Sequence, residues 1–285
     1  AKLQGTQSVS QVAGPSLGGF LVQLLTAPYA LLVDSVSYLW SAGCVVAIGH
    51  REPRPERPAN AHLGREIREG LAFVLGHRLL RSIAICTGGS NLFSGAGGAM
   101  LIVLLARDLD LPAGTIGLLF SASAIGGLAG AMVARRFAGW IGQGPAIWVS
   151  VAASAPFALI QPFLHRNWTL GLFVVAQVVL FSGVVIYNIT QVSFRQALCP
   201  ERLLGRMNAT MRFLVWGTLP LGGLLGGVLG ATIGVRPALF VAAVGTSLAF
   251  LPVFFSPLRT MRELPTLDSG TAGPAGTPPE PVLTD

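Results

Sequence analysis

The sequence predicts an all-α membrane protein with eight transmembrane helices. Three observations carry that prediction. Apolar residues make up 52% of the 285 residues and charged residues only 11%, against roughly 25% charged in an ordinary soluble domain. Glycine occurs 36 times, a frequency that suits closely packed membrane helices. Eight stretches are apolar for close to the roughly 20 residues that a helix needs to cross a bilayer. A mean hydropathy of +0.65 excludes a disordered chain. So few charged side chains cannot cover a soluble globule of this length, which argues against a soluble enzyme.

The eight spans fall at about 8–25, 28–49, 83–105, 113–134, 145–164, 169–191, 213–233 and 237–256. The first is the most polar, with Ser8, Ser10 and Gln11 near its start. The third is the cleanest, since no charge occurs from Ile83 to Ala106. Sorting the cations by connection sets the orientation. Of nineteen Lys and Arg residues, only Arg107, Arg166 and Arg236 fall on one side; the other sixteen fall on the opposite side. This split predicts that both termini are cytoplasmic. It also explains the net charge of +7 without a nucleic-acid partner, because the arginines sit between spans and not on one patch.

The connection 51–82 opens with a charged segment held extended by Pro53, Pro55 and Pro58. Residues 63–81 then read as an amphipathic helix with Ile67, Leu71, Val74 and Leu75 on one stripe. Such a helix lies in the membrane interface or packs under the bundle. The tail 257–285 carries five prolines from Pro265 onward and no apolar periodicity, the composition of a mostly disordered, cytoplasmic segment. Cys44, Cys86 and Cys199 have neither metal nor disulfide spacing. No cofactor motif occurs, and no signal peptide precedes the first span.

An internal repeat organises the spans. Val12 to Gly19 aligns with Gly217 to Leu224 at an offset of 205, and Ala27 to Val36 aligns with Val235 to Val244 at 208. Spans one and two therefore correspond to spans seven and eight. The repeating unit is six helices. Residues 1–50 read as the last two helices of an N-terminal half, 51–82 as the linker and 83–256 as a complete C-terminal half. Four further helices are expected before Ala1.

Two six-helix halves joined by a charged linker resemble the major facilitator superfamily, and specific residues carry the resemblance. Gly14, Pro15, Gly18 and Gly19 are similar to the end of the antiporter motif of that family's exporters, with Ser10 where a further glycine is usual. The stretch from Tyr187 to Ala209 resembles the corresponding segment of bacterial exporters of the enterobactin-exporter type. Gly130, Arg135 and Arg136 resemble part of a second motif, placed in the cytoplasmic turn between the second and third helices of a half. Ala134 replaces its acidic residue. The resemblance covers about residues 1–263. It implies proton-linked efflux of small molecules, drug-like or siderophore-like, across the bacterial inner membrane by alternating access.

Several residues stand out chemically. Asp34 is the one acidic residue inside a predicted span, where an ionisable group costs about 2.5–3.5 kcal/mol and is a functional candidate. It serves proton coupling or helix packing. Gln177, Asn188 and Gln191 share one helical face, and Asn91 and Ser94 share another with Thr87 one turn away. The resemblance implies that these two helices line a central cavity, so Asn91, Phe93, Gln177, Tyr187 and Asn188 are expected to contact substrate. Interhelical hydrogen bonding is the alternative role. Gly14, Pro15, Gly18, Gly19, Pro220, Gly222, Gly223 and Gly226 lie on small-residue stripes that serve either as plain packing or as a bending seam between rocking halves.

The rival classes are weaker. All four histidines sit outside or at the ends of spans, and no zinc-protease or phosphate-loop motif occurs. A permease subunit of an ATP-driven transporter and a non-transporting remnant remain as alternatives. The expected partners are a small-molecule substrate, protons and the lipid bilayer.

Overall fold

The structure is a computed structural model that describes residues 29–47, 63–200 and 203–262. Its helices are α1 (Tyr29–Ala47), α2 (Leu63–Gly76), α3 (Arg78–Val103), α4 (Ala113–Ile141), α5 (Gln143–Ser154), α6 (Thr169–Ala197), α7 (Leu204–Trp216), α8 (Thr218–Ile233), α9 (Val235–Leu248) and α10 (Leu251–Phe254). Among the described residues, seven helical stretches are long and apolar enough to cross a membrane. They match the second to eighth predicted spans. The first predicted span, with Gly14, Pro15, Gly18 and Gly19, lies outside the described residues. The chain is a multi-pass membrane protein.

The helices overrun the apolar cores that predict them. α4 continues to Ile141, so Arg135 and Arg136 lie on its last turns and not in a turn between helices. α7 begins at Leu204, nine residues before the predicted span, and joins α8 through a break at Gly217 to form one stretch. Hydropathy locates the segment that avoids water; the hydrogen-bonded helix runs past it at both ends. The predicted span 145–164 is helical as far as Phe163, but Ala155–Phe163 is a 3-10 helix. Pro156 and Pro162 cause this. Each lacks an N–H and its ring crowds the preceding α-helical turn. At the far end of α3, Leu104–Asp108 widens into a π-helical turn.

The linker helix differs more from its expected form. α2 stops at Gly76, and an extended His77 separates it from α3. Val74 is buried and Leu71 half-buried, but Ile67 and Leu75 of the expected stripe are exposed. The reason is Gly70. Its Cα lies against the backbone of Arg206 and the side chain of Thr210 on α7, and this turns the helix away from its apolar centre. Arg206 then pairs with Glu69 and, at 3.3 Å, with Glu66.

Two glycine seams hold the bundle together. In the first, α3 meets α8. A Cβ on Gly95 would sit 2.7 Å from the Leu219 carbonyl oxygen, one on Gly226 would sit 2.6 Å from that of Ala96, and Gly222 abuts the Leu92 carbonyl. In the second, α4 meets α6. Gly126 abuts the Val178 carbonyl, a Cβ on Gly130 would sit 2.6 Å from the Ser182 carbonyl oxygen, and Ser182 Oγ donates to the Gly126 carbonyl at 2.8 Å. Lipid offers no hydrophobic drive for helices to associate, so close backbone approach supplies much of the attraction. Gly223 has nothing within 4 Å of its Cβ position, and Pro220 is exposed.

The seams belong to a second, shorter repeat. Ile141-Gly-Gln-Gly-Pro-Ala-Ile-Trp148 matches Ile233-Gly-Val-Arg-Pro-Ala-Leu-Phe240 at an offset of 92. Gly142 (φ 100°) and Gly234 (φ 94°) each form a one-residue turn between consecutive helices, in a left-handed region that favours glycine. The prolines follow in the first turn, where an N–H is not needed. The two turns lie at opposite ends of the bundle. The fastenings are alike as well. Gln143 and Gly144, at the start of α5, donate backbone hydrogen bonds to Arg262 and Met261 at 3.0 and 2.9 Å. Arg236, at the start of α9, donates to the carbonyls of Pro162 and Leu164 at 2.7 and 2.9 Å. Residues 257–262 are therefore packed against the bundle, with Leu258 fully buried. The rest of the predicted tail lies outside the described residues.

Buried side chains form two clusters. One, around Leu80, Phe194, Met207 and Leu258, lies at the end of the bundle that carries α2, called here the linker face. The other, around Leu105, Leu164, Phe173 and Leu239, lies at the far end.

Two expectations follow. Gly222→Ala should lower the stability of the purified protein by about 1–3 kcal/mol through overpacking, whereas Gly223→Ala should leave it unchanged; thermal unfolding in detergent compares them. Burial holds the His77 imidazole below its ordinary value of 6.5. The folded protein thus favours neutral His77, and this stability is full above 6.5 and is lost as pH falls below it. The fall of melting temperature between about pH 7 and pH 5 should become shallower in His77→Phe.

Candidate functional site

A cavity of about 410 Å³ opens inside the bundle between the two clusters. It takes Val151 and Tyr187 from the linker-face cluster and Leu101 from the far one. Its principal walls are α3 and α6, closed behind by α5 with its 3-10 extension and by α9. The two walls share one rhythm. Thr87, Ser90, Asn91, Ser94, Gly97 and Gly98 line it from α3; adding 90 to each number gives Gln177, Leu180, Phe181, Val184, Tyr187 and Asn188 on α6. Spacings of three and four residues keep one face of each helix towards the cavity.

The structure gathers Asn91, Phe93, Gln177, Tyr187 and Asn188 around this cavity, but their polar groups differ in what they already do. Asn91 Nδ2 donates to the Val215 carbonyl at 2.9 Å, near the α7–α8 break where carbonyls lose helical partners. Thr87 Oγ1 lies 2.8 Å from the Ile83 carbonyl and 2.5 Å from the Tyr187 hydroxyl. A hydroxyl has one hydrogen. That of Thr87 goes to Ile83, so Tyr187 is the donor in a bridge from α6 to α3. The bridge closes the linker-face side of the cavity. Gln177 is buried, 4% exposed, with no hydrogen-bond partner among the described residues. Asn188 is exposed at the mouth. The Phe93 ring covers the Cα of Gly245 on α9, a position where any side chain would collide with it.

Other expected residues lie elsewhere. Gln191 is buried beyond the cavity lining, its Oε1 without a partner among the described residues. Asp34 is exposed on α1 and does not line the cavity. Gly130 belongs to the α4–α6 seam, and Arg135 and Arg136 are exposed. Sequence reasoning missed Ser90, Gln161 and Thr246. Ser90 completes the row of Thr87, Asn91 and Ser94 and was open to discovery by spacing. Gln161 was not, because a 3-10 helix presents it.

The chemistry of the wall is neutral. Among the described residues that line the cavity, none is Asp, Glu, Lys, Arg or His. Among the described residues, no three His, Cys, Asp or Glu side chains come together to hold a metal ion. Amides, hydroxyls and Phe93, Phe120 and Phe181 remain. Such a set is suited to hydrogen bonds and ring contacts with a small molecule.

Comparison with known proteins agrees with this architecture. Residues 6–275 match the family of transmembrane secretion effectors in the major facilitator superfamily. The enterobactin exporter EntS of Citrobacter koseri is 29% identical over 223 residues, covering 76% of this chain and 51% of that protein. The chain thus spans about half the length of the curated relative that it matches. No solved structure matches it. With its membrane-spanning helices, paired glycine seams and family match over nearly its whole length, the chain belongs to the major facilitator superfamily, among its transmembrane secretion effectors.

Proposed function

We propose that the full-length protein exports a small molecule across the bacterial inner membrane by alternating access, driven by protons, and that residues 83–256 form one of its two halves. The observation that carries this reading is the cavity itself. It is enclosed by the matching helices α3 and α6, its described wall is neutral and hydrogen-bonding, and it keeps a buried glutamine with no hydrogen-bond partner among the described residues. Repeats of this kind place substrate at their interface near the bilayer midplane. Export is supported by the name of the relative, an enterobactin exporter, and a drug-like or siderophore-like molecule is the cargo that this reading takes. The sixteen-to-three division of cations supports a cytoplasmic linker face and cytoplasmic termini. The linker face is then the entry side, and the Tyr187–Thr87 bridge is one of the contacts that opens and closes there.

Asp34 is the candidate proton carrier, as the one carboxylate inside a predicted span. Its exposure on α1 leaves it free to face the helices of the other half. In inside-out vesicles carrying the full-length protein, an imposed proton gradient should drive uptake by the wild type and not by Asp34→Asn, with downhill exchange retained in both. Gradient-driven uptake by the variant at the wild-type rate assigns coupling to another group. For the bridge, Tyr187→Phe and Thr87→Val should each change the transport rate by about three- to thirtyfold, the equivalent of roughly 0.6–2 kcal/mol. The double variant should add nothing further. Multiplying effects would mean that the two hydroxyls act separately.

A further inference from the structure

Phe93 sits in a run of close contacts between the antiparallel helices α3 and α9. A Cβ on Gly89 would lie 4.0 Å from that of Ala249, and one on Gly97 would lie 3.4 Å from that of Ala242. Phe93 lies midway between those glycines on α3, and Gly245 lies between those alanines on α9. Steps of three and four residues keep each set on one helical face. The ring fits there because Gly245 has no side chain. Cγ, Cδ1 and Cε1 of Phe93 are nearly equally close to the place of the missing Cβ, so a face of the ring, and not its rim, rests on Gly245.

Gly245 is not part of the cavity lining, whereas Phe93 is, with Ala242, Ala243 and Thr246 beside it from α9. The ring therefore has α9 behind it and the cavity next to it. A side chain at residue 245 would force something to move. Moving α9 away from α3 would part the contacts at Gly89 and Gly97 on either side of the ring, and such close contacts are what hold helices together in a membrane. Turning one ring out of its slot gives up fewer atom contacts. The open space beside it is the cavity.

We infer that Gly245 sets how large a body the cavity accepts. It is a positioning residue that lets Phe93 lie back against α9, and any side chain in its place brings the ring forward into the space that cargo would use. The inference rests on the transport reading above for the presence of cargo, and it names what limits the cargo's size. Gly245 acts only through Phe93. The size limit is thus set on α9, apart from the two helices that carry most of the polar groups, and it can change while their hydrogen bonding stays the same.

The test uses the full-length protein in detergent with Thr246→Cys, which puts a thiol on the cavity wall beside the ring. N-ethylmaleimide, N-phenylmaleimide and N-(1-pyrenyl)maleimide supply bodies of increasing size. Modification is read by mass spectrometry on the peptide that carries residue 246, so the native cysteines do not interfere. Adding Gly245→Ala should slow the pyrenyl reagent by about tenfold or more relative to the ethyl one. Adding Phe93→Ala as well should restore the ratio, because no ring is left to displace. Phe93→Ala without Gly245→Ala should raise the pyrenyl-to-ethyl ratio above that of the reference. If the reference already excludes the pyrenyl reagent, the phenyl reagent takes its place in each comparison. A ratio that Gly245→Ala leaves unchanged overturns the inference, as does a slowing that Phe93→Ala fails to relieve, or a residue 246 that does not react with the ethyl reagent in the reference. Should Gly245→Ala not fold, Phe93→Ala decides alone, and an unchanged ratio overturns the inference. Labelling does not depend on transport. The expected labelling in a protein without proton-driven uptake sinks the transport reading alone. Proton-driven uptake with labelling indifferent to residue 245 sinks this inference alone.

Discussion

Everything in the bundle depends on how closely two pairs of helices approach. Where α3 meets α8 and α4 meets α6, glycines leave backbone against backbone, and a single added carbon would collide with a carbonyl oxygen. A membrane removes the usual reason for helices to associate, because lipid tails are as apolar as leucine. Contact must then come from dispersion over well-fitted surfaces, and small residues give the best fit. The seams draw α8 onto α3 and α4 onto α6. They leave the inner faces of α3 and α6 standing apart, joined by Tyr187 and Thr87 near one end. The cavity is the space that remains.

The two seams are related to one another. Exchanging α3 with α6, α4 with α8 and α5 with α9 carries one onto the other, together with the one-glycine turns and the fastenings at Gly144 and Arg236. The turns point to opposite ends of the bundle, so the relation inverts the chain's direction through the membrane, as nested repeats in transporters of this kind do. Such a construction gives the protein two similar walls facing one site. It also explains why polar residues recur at the same spacing on α3 and α6 while their chemistry differs. The spacing belongs to the architecture, and the identity of each side chain is set apart from it.

Much of this was legible in the sequence. Hydropathy and charge located seven of the described helical stretches, because excluding water from a bilayer leaves a strong, long signal. Asn91, Gln177 and Tyr187 were legible because amides and a phenol inside apolar helices are conspicuous. The helix ends were not, since Arg135, Arg136 and Arg206 extend regular helix beyond the apolar core. The face of α2 was misread because Gly70 makes its contact without a side chain, and a stripe of apolar residues gives no weight to glycine. Gln161 was hidden by the prolines that force a 3-10 helix. The state of each polar group was also hidden. Only the fold shows that the Asn91 amide is engaged by Val215 and the Gln177 amide by nothing described.

The one-residue turns at Gly142 and Gly234 have a mechanical consequence. A tether of one residue fixes the separation of the two helix ends that it joins, whatever their side chains do. α4 and α5, like α8 and α9, can pivot about their shared end but cannot slide lengthwise past each other. The connections that follow α3 and α5 are longer, but the second is itself held, with Leu164 fully buried and its carbonyl accepting from Arg236 at 2.9 Å. The half therefore contains two stiff V-shaped pairs, and the seams fasten α6 to the first through α4 and α3 to the second through α8. A rotation of either pair therefore carries with it one of the two helices, α6 or α3, whose faces line the cavity.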